Sequence, residues 1–189
     1  MGQGSCISFP PGAVFNENWI SIGEATLIGP HVTLAVGFPI EILDPARPPV
    51  VRIGNRVNIG RGSSIVARLG VDIEDDVMTG PDVYITDHNH TYANLDIPIG
   101  QQWMSEEPVR IGAGSWIGAG VVILPGSAIG RHVTVAAGSV VRGVLPDNCV
   151  AAGSPAKVVR QHIAGRGWVP EMKDPPPVPP GWPGSELPG

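Results

Sequence analysis

Residues 111–141 read IGAGSW, IGAGVV, ILPGSA, IGRHVT, VAAGSV and V, which puts an aliphatic side chain at Ile111, Ile117, Ile123, Ile129, Val135 and Val141. A step of six matches neither the 3.6-residue period of a helix nor the alternation of a strand. The fifth place of each unit is small or β-branched (Ser115, Val121, Ser127, Val133, Ser139), so each unit reads as one short strand and a turn. Such hexads mark a parallel β-helix: the aliphatic first position points into a narrow prism, and Gly in the second or fourth place permits the corner. Three units close one coil, and stacked coils pair at about 4.8 Å. Side chains eighteen residues apart, such as Ile111 and Ile129, then form a ladder through the core. One coil cannot bury its own face, so the repeat must run on. It does, at Ile22, Ile28 and Leu34, at Ile53, Ile59 and Ile65, and at Ile73, Thr79 and Ile85. A β-sandwich fits worse, because its strands recur every 8–12 residues.

With 189 residues, 26 Gly and 21 Pro, the chain suits one all-β domain made mostly of corners. Charged residues are 15% and the net charge is -5, which leaves no basic face for nucleic acid or an anionic membrane. The N-terminus lacks a basic start followed by an apolar stretch, and no run reaches the length of a membrane span. A cytoplasmic protein is the expectation. Two cysteines, Cys6 and Cys149, imply neither a disulfide framework nor a zinc site, and Cys149 reads as a small core residue.

The organisation expected from these signals is an N-terminal segment 1–13, a β-helix domain 14–154, a short basic helix 155–164 and a Pro-rich tail 165–189. The prolines of FPIEILDPARPPVV place a loop at 39–50. The sequence ARLGVD inserts two residues after Ile65, a slip that a corner absorbs. The largest break, 87–108, has no aliphatic period and carries most of the reactive side chains. Its Tyr92, Ile97, Ile99 and Trp103 suggest an ordered protruding flap. The tail cannot form helix or ladder and reads as polyproline-like, loose or laid along a neighbour through Trp168 and Trp182.

His88 and His90 fall together at the base of that excursion, in YITDHNHTY. A neutral imidazole can accept a proton from a hydroxyl, which makes it the usual general base for acyl transfer to an alcohol. No Ser stands in a G-x-S-x-G elbow, so direct transfer from a thioester fits better than a covalent acyl-enzyme.

The hexads, the DHNH segment, the Trp in GSWIGAGVVILPG and the closing VAAGSPAKVVR together resemble the hexapeptide-repeat acyltransferases, nearest to the maltose, galactoside and polysaccharide O-acetyltransferase group. The resemblance covers roughly residues 50–162. It implies a left-handed parallel β-helix, acetyl-CoA as acyl donor without a metal, a sugar, polysaccharide or natural-product hydroxyl as acceptor, and a homotrimer with active sites between neighbouring prisms. The family's catalytic histidine lies seven residues after the valine of a PNV-like segment. Here Pro81-Asp82-Val83 leads to His90, so His90 is the first candidate for general base and His88 the second. Asp87 either orients an imidazole or begins a turn. Tyr92 and Trp103 are candidates to touch the acceptor. Trp116 falls where the family sets an indole against pantetheine, although packing between subunits would also explain it. Gly118, Ala119, Ala136 and Ala137 would let pantetheine approach the backbone, and Lys157 and Arg160 match the positions that meet the nucleotide phosphates.

Departures exist. Gly60 and Arg68 stand where galactoside-type enzymes carry the Asn and Asp that hold the sugar, and the helical N-terminal lid of that group has no counterpart. Two readings compete. A γ-carbonic-anhydrase-like zinc enzyme would use His88 and His90, but neither His31 nor His132 supplies a suitably spaced third ligand. A non-catalytic hexapeptide scaffold would leave the histidine-bearing excursion unexplained.

Overall fold

The first and fifth side chains of every hexad between 111 and 141 are buried, with exposures of 0–2%. Sinking an Ile or Val side chain stabilises the fold by roughly 1.5–3 kcal/mol, and the inward residues form one continuous core from Trp19 to Ala156. The fourth position turns the chain. Gly114, Gly120, Gly126, His132 and Gly138 have φ of 70°, 65°, 73°, 53° and 68°, the left-handed region that glycine enters without penalty. Glycine in the second position serves a different need. A Cβ on Gly112 would lie 2.5 Å from the Gly130 carbonyl oxygen in the next coil, so the stacking distance excludes a side chain there.

A computed structural model describes residues 1–37 and 48–170. Among these, the coils stack into three sheets of nine, six and six strands, parallel except for the last two strands of the first, with a separate two-stranded antiparallel ribbon. Residues eighteen apart pair in register, Ile111 with Ile129, Ile117 with Val135 and Ile123 with Val141. Buried hydroxyls at fifth positions fasten one coil to the next. Ser115 Oγ donates to the Gly130 carbonyl at 3.0 Å and accepts the Val133 N–H at 3.1 Å, and Thr26 does the same with Gly54 and Val57.

The breaks in the repeat all fall on one edge of the prism. The second sheet contains Thr33–Val36, Ser64–Ala67 and Tyr84–Thr86, and the third contains Val51–Ile53, Val71–Ile73 and Val109–Ile111. Each interruption, at 37–50, 68–70 and 87–108, therefore lies between these two sheets. Residues 38–47, most of the expected 39–50 loop, lie outside the described residues.

The inserted corner at 68–70 is held by a single carboxylate in the coil above. Asp87, with no exposed surface, accepts the backbone N–H groups of Arg68 (2.9 Å), Leu69 (2.7 Å) and Gly70 (2.6 Å), and its Oδ1 lies 2.8 Å from His88 Nδ1. Several donors on one buried anion offset the cost of burying it.

Two expectations need correction. Cys6–Ile7 pairs in parallel with Leu27–Ile28, so coil structure begins before residue 14. The expected helix at 155–164 is a strand, Ala156–Ile163, antiparallel to Cys149–Gly153, and Gly167–Val169 adds a further strand beside it. Pro155 suits a helix start. However, a helix this short is marginal alone, whereas the open edge of the first sheet offers a full set of backbone partners to β-branched Val158, Val159 and Ile163. Trp168 packs edge-on against His162 at 5.6 Å, and residues 171–189, including Trp182, lie outside the described residues. Cys149 is buried, and burial pushes its thiol pKa up, as expected of a core residue.

Gly112→Ala is expected to lower stability by about 1–3 kcal/mol through backbone overpacking, seen as a fall in thermal midpoint. An unchanged midpoint would show that the coils can part at that point. Asp87→Asn replaces an acceptor with an amide that presents donors to donors, and should cost about 3 kcal/mol or more in urea unfolding.

Candidate active site

The excursion is anchored at both ends by the prism it leaves. It departs from the second sheet after Thr86, and the Glu107 N–H, donated to the Asp87 carbonyl at 2.8 Å, closes its base. Between these points His88–His90 pairs antiparallel with Met104–Glu106, matching His88 with Glu106, Asn89 with Ser105 and His90 with Met104. A turn of 3-10 helix at Ile99–Gln101 and a Gln102 side chain bound to the Asn94 and Ile97 carbonyls order the outer part. The flap expected from Tyr92 and Trp103 is thus an ordered hairpin.

Alternation along the strand puts His88 and His90 on one side of the ribbon, but their surroundings differ. His88 is 15% exposed, its Nδ1 bound to Asp87 and 3.3 Å from Thr86 Oγ1. His90 is exposed and lines a cavity of about 510 Å³ together with Tyr92, Ser105, Glu107, Leu124 and Arg142. Asp87 therefore orients His88 rather than His90, and it also holds the 68–70 corner of the coil below. Trp103 is not part of this cavity. Its ring lies beneath the Arg68 guanidinium at 5.7 Å, and its carbonyl accepts the Thr91 hydroxyl at 2.6 Å.

Glu107, Ser105, Leu124 and Arg142 were missed from the sequence. A signal existed for two of them. Leu124 and Arg142 are eighteen residues apart and occupy the edge between the second and third sheets, in the two coils above the hairpin. Counting coils from His90 along that edge would have reached both.

The proposed donor residues lie elsewhere on the prism. Trp116 is half exposed on the outer face of the first sheet, in a register row that runs Met78, Trp116, Thr134, Val150, Arg160. Lys157 pairs with Ala152, and a bulge beside Val159 sets Arg160 opposite Val150. Ala152 and Val150 share a face, so Lys157 and Arg160 share it too. Three strand spacings separate Trp116 from Arg160, about 14 Å. Gly118–Ala119 and Ala136–Ala137 form stacked corners beside Trp116. There Gly118 donates to the Val135 carbonyl at 2.8 Å, and a Cβ on it would meet the Ala137 nitrogen at 2.5 Å.

A second cavity, about 380 Å³ on the third sheet, is lined by Glu74, Arg110, Arg131 and Asp147. Its carboxylates are engaged. Glu74 accepts from Arg110 Nε at 3.0 Å and the Ala113 N–H at 2.9 Å, and these donors hold it below the usual carboxylate range. Asp147 accepts the Arg131 N–H at 2.8 Å. Among the described residues no three His, Cys, Asp or Glu side chains converge as a metal site, and no helix is long and apolar enough to cross a membrane.

Comparison with known proteins places these features in a family. Residues 108–143 match the bacterial transferase hexapeptide model of six repeats, and residues 50–87 match the hexapeptide repeat of succinyl-transferase. A "probable acetyltransferase" of Mycobacterium tuberculosis is 40% identical over 76% of this chain, which spans 43% of that protein's length. WbbJ of Escherichia coli, named for lipopolysaccharide biosynthesis O-acetyl transfer, is 33% identical over 80% of this chain and 76% of its own. A galactoside acetyltransferase solved in complex with coenzyme A superposes with a TM-score of 0.58 at 28% identity, covering 75% of this chain and 64% of that one. With its three-sheeted prism of hexads, this chain belongs to the hexapeptide-repeat acetyltransferases, whose fold is a left-handed parallel β-helix.

Proposed function

We propose that the protein is a coenzyme A-dependent O-acetyltransferase that moves acetyl from acetyl-CoA to a hydroxyl of a sugar, a polysaccharide unit or a natural product, with His90 as general base. The observation that carries this reading is the contrast between the two histidines. His88 is fixed by a buried carboxylate, while His90 stands open to a polar cavity on the hairpin. His90 takes the proton of the acceptor hydroxyl as its oxygen attacks the thioester carbonyl carbon. Backbone N–H groups lining the cleft stabilise the tetrahedral oxyanion. The carbon–sulfur bond then breaks, and His90 returns the proton to the departing thiolate. Tyr92, Ser105, Glu107 and Arg142 supply donors and acceptors to orient a hydroxylated acceptor.

The row Trp116–Arg160 fits the acyl donor. An indole face suits the pantetheine arm, the Gly118–Ala119 and Ala136–Ala137 corners allow close approach, and Lys157 with Arg160 suits phosphate. These residues occupy the first sheet and its edge with the second, whereas His90 overhangs the edge between the second and third. The second sheet lies between them. A donor on one prism and the histidine of a neighbour bring the halves together, which supports a homotrimer with shared sites. A location in the cytoplasm, where acetyl-CoA is made and used, is part of the same reading.

His90→Ala should reduce release of free thiol from acetyl-CoA, in the presence of a panel of hydroxylated acceptors, by about 10²–10⁴-fold, with coenzyme A binding retained. Equal turnover by wild type and variant would remove His90 as the base. In sedimentation equilibrium the protein should have a mass near three times 19.7 kDa. A monomer that turns over would contradict shared sites.

A further inference from the structure

Arg68 occupies the two-residue insertion, on the same edge as the hairpin and one coil below it. Its backbone N–H is bound by the Asp87 carboxylate at 2.9 Å, while its side chain reaches in three directions. Nε donates to Glu106 Oε1 at 2.8 Å, in a pair whose side chains are only 13% and 21% exposed. Nη1 donates to the Gly37 carbonyl at 3.0 Å in the coil beneath, and the guanidinium lies 5.7 Å from the centre of the Trp103 ring. Glu106 and Trp103 both belong to the returning arm of the hairpin. In the ribbon Glu106 is paired with His88, and Met104, next to Trp103, is paired with His90.

We propose that Arg68 is a positioning residue for the reaction: it clamps the returning strand of the hairpin to the prism and so holds His90 at its place over the cavity. The proposal rests on the reading of His90 as general base. A two-stranded ribbon is marginally stable at best by itself in water. The backbone bonds at its base, Glu107 N–H to Asp87 and Gly126 N–H to Glu107, fix its foot. Arg68 adds side-chain contacts to Glu106, next to that base, and to Trp103, three residues further up the returning arm. A displacement of about 1 Å in a catalytic group can cost on the order of 10²-fold in rate. The planar guanidinium meets a carboxylate, a carbonyl and a ring face at once, which a lysine ammonium cannot do. Arg68 does not line the His90 cavity, so it acts through the ribbon and not on substrate.

The test compares wild type, Arg68→Ala, Arg68→Lys and Glu106→Gln by steady-state thiol release from acetyl-CoA with a hydroxylated acceptor panel, and by amide hydrogen exchange. Arg68→Ala should lower kcat by about 10²-fold and leave KM for acetyl-CoA unchanged, because Trp116 and Lys157 lie on another sheet. Arg68→Lys should restore part of kcat. Exchange protection at 88–90 and 104–106 should fall in Arg68→Ala while that at Ile117 and Ile123 is kept. If Arg68→Ala does not fold, Glu106→Gln, which preserves packing, should show the same loss of ribbon protection and of kcat. Unchanged ribbon protection in both Arg68→Ala and Glu106→Gln would overturn the clamp whether or not the enzyme turns over. A rise in KM at constant kcat would overturn it in favour of a binding role. Loss of ribbon protection with no thiol release by wild type for any acceptor would instead overturn the His90 reading, and the positioning role with it.

Discussion

Each coil of this prism satisfies its backbone through the coils above and below it, at a spacing of about 4.8 Å, and almost everything else follows from that constraint. A residue added within a strand would put two ladders out of register at once and turn buried side chains outward. A residue added at a corner disturbs neither. Extra residues can therefore enter the repeat only at an edge. The corner between the second and third sheets carries the departures at 68–70 and 87–108, in successive coils.

Stacking the departures lets them support one another. The extra residues at 68–70 leave three amide hydrogens pointing away from any strand partner, and Asp87, at the start of the next departure, accepts all three from a site closed to water. The same carboxylate holds the ring of His88. Arg68 then reaches from the lower departure to Glu106 and Trp103 in the upper one. The foot of the hairpin is consequently part of the prism, while its tip, with Leu95 fully exposed at 95%, reaches well clear of it.

The sequence made some of this plain and concealed the rest, for reasons that depend on range. The ladder of Ile111 with Ile129 follows from counting, because a fixed period converts sequence distance into position. His90 and Tyr92 were found through a local motif, and both line the same cavity. Ala156–Ile163 reads locally as a helix because Pro155 suits a helix start, while the deciding factor is an unpaired sheet edge that no local window contains. Asp87 looked like a partner for the catalytic imidazole. It does hold the ring of the neighbouring His88, but its three backbone partners come from seventeen to nineteen residues earlier, across one coil that the two-residue slip makes longer than eighteen. Glu107 and Arg142 carry no motif, and only the coil count brings Arg142 to the hairpin.

The separation of the two proposed half-sites is informative in itself. A narrow prism has no interior to hold a ligand, since its axis is filled by Ile and Val from end to end. Both substrates must therefore bind outside it, on faces that are nearly flat. On the proposed reading the Trp116–Arg160 row is one wall for an extended donor, and the hairpin is one wall for an acceptor. Neither encloses its ligand, and on a single prism the second sheet keeps them apart. An acyl transfer that must exclude water while joining thioester and hydroxyl needs a second wall, which on the proposed reading comes from a neighbouring prism. On the proposed reading, assembly is a requirement of the chemistry, and the projecting hairpin is the element long enough to reach across it.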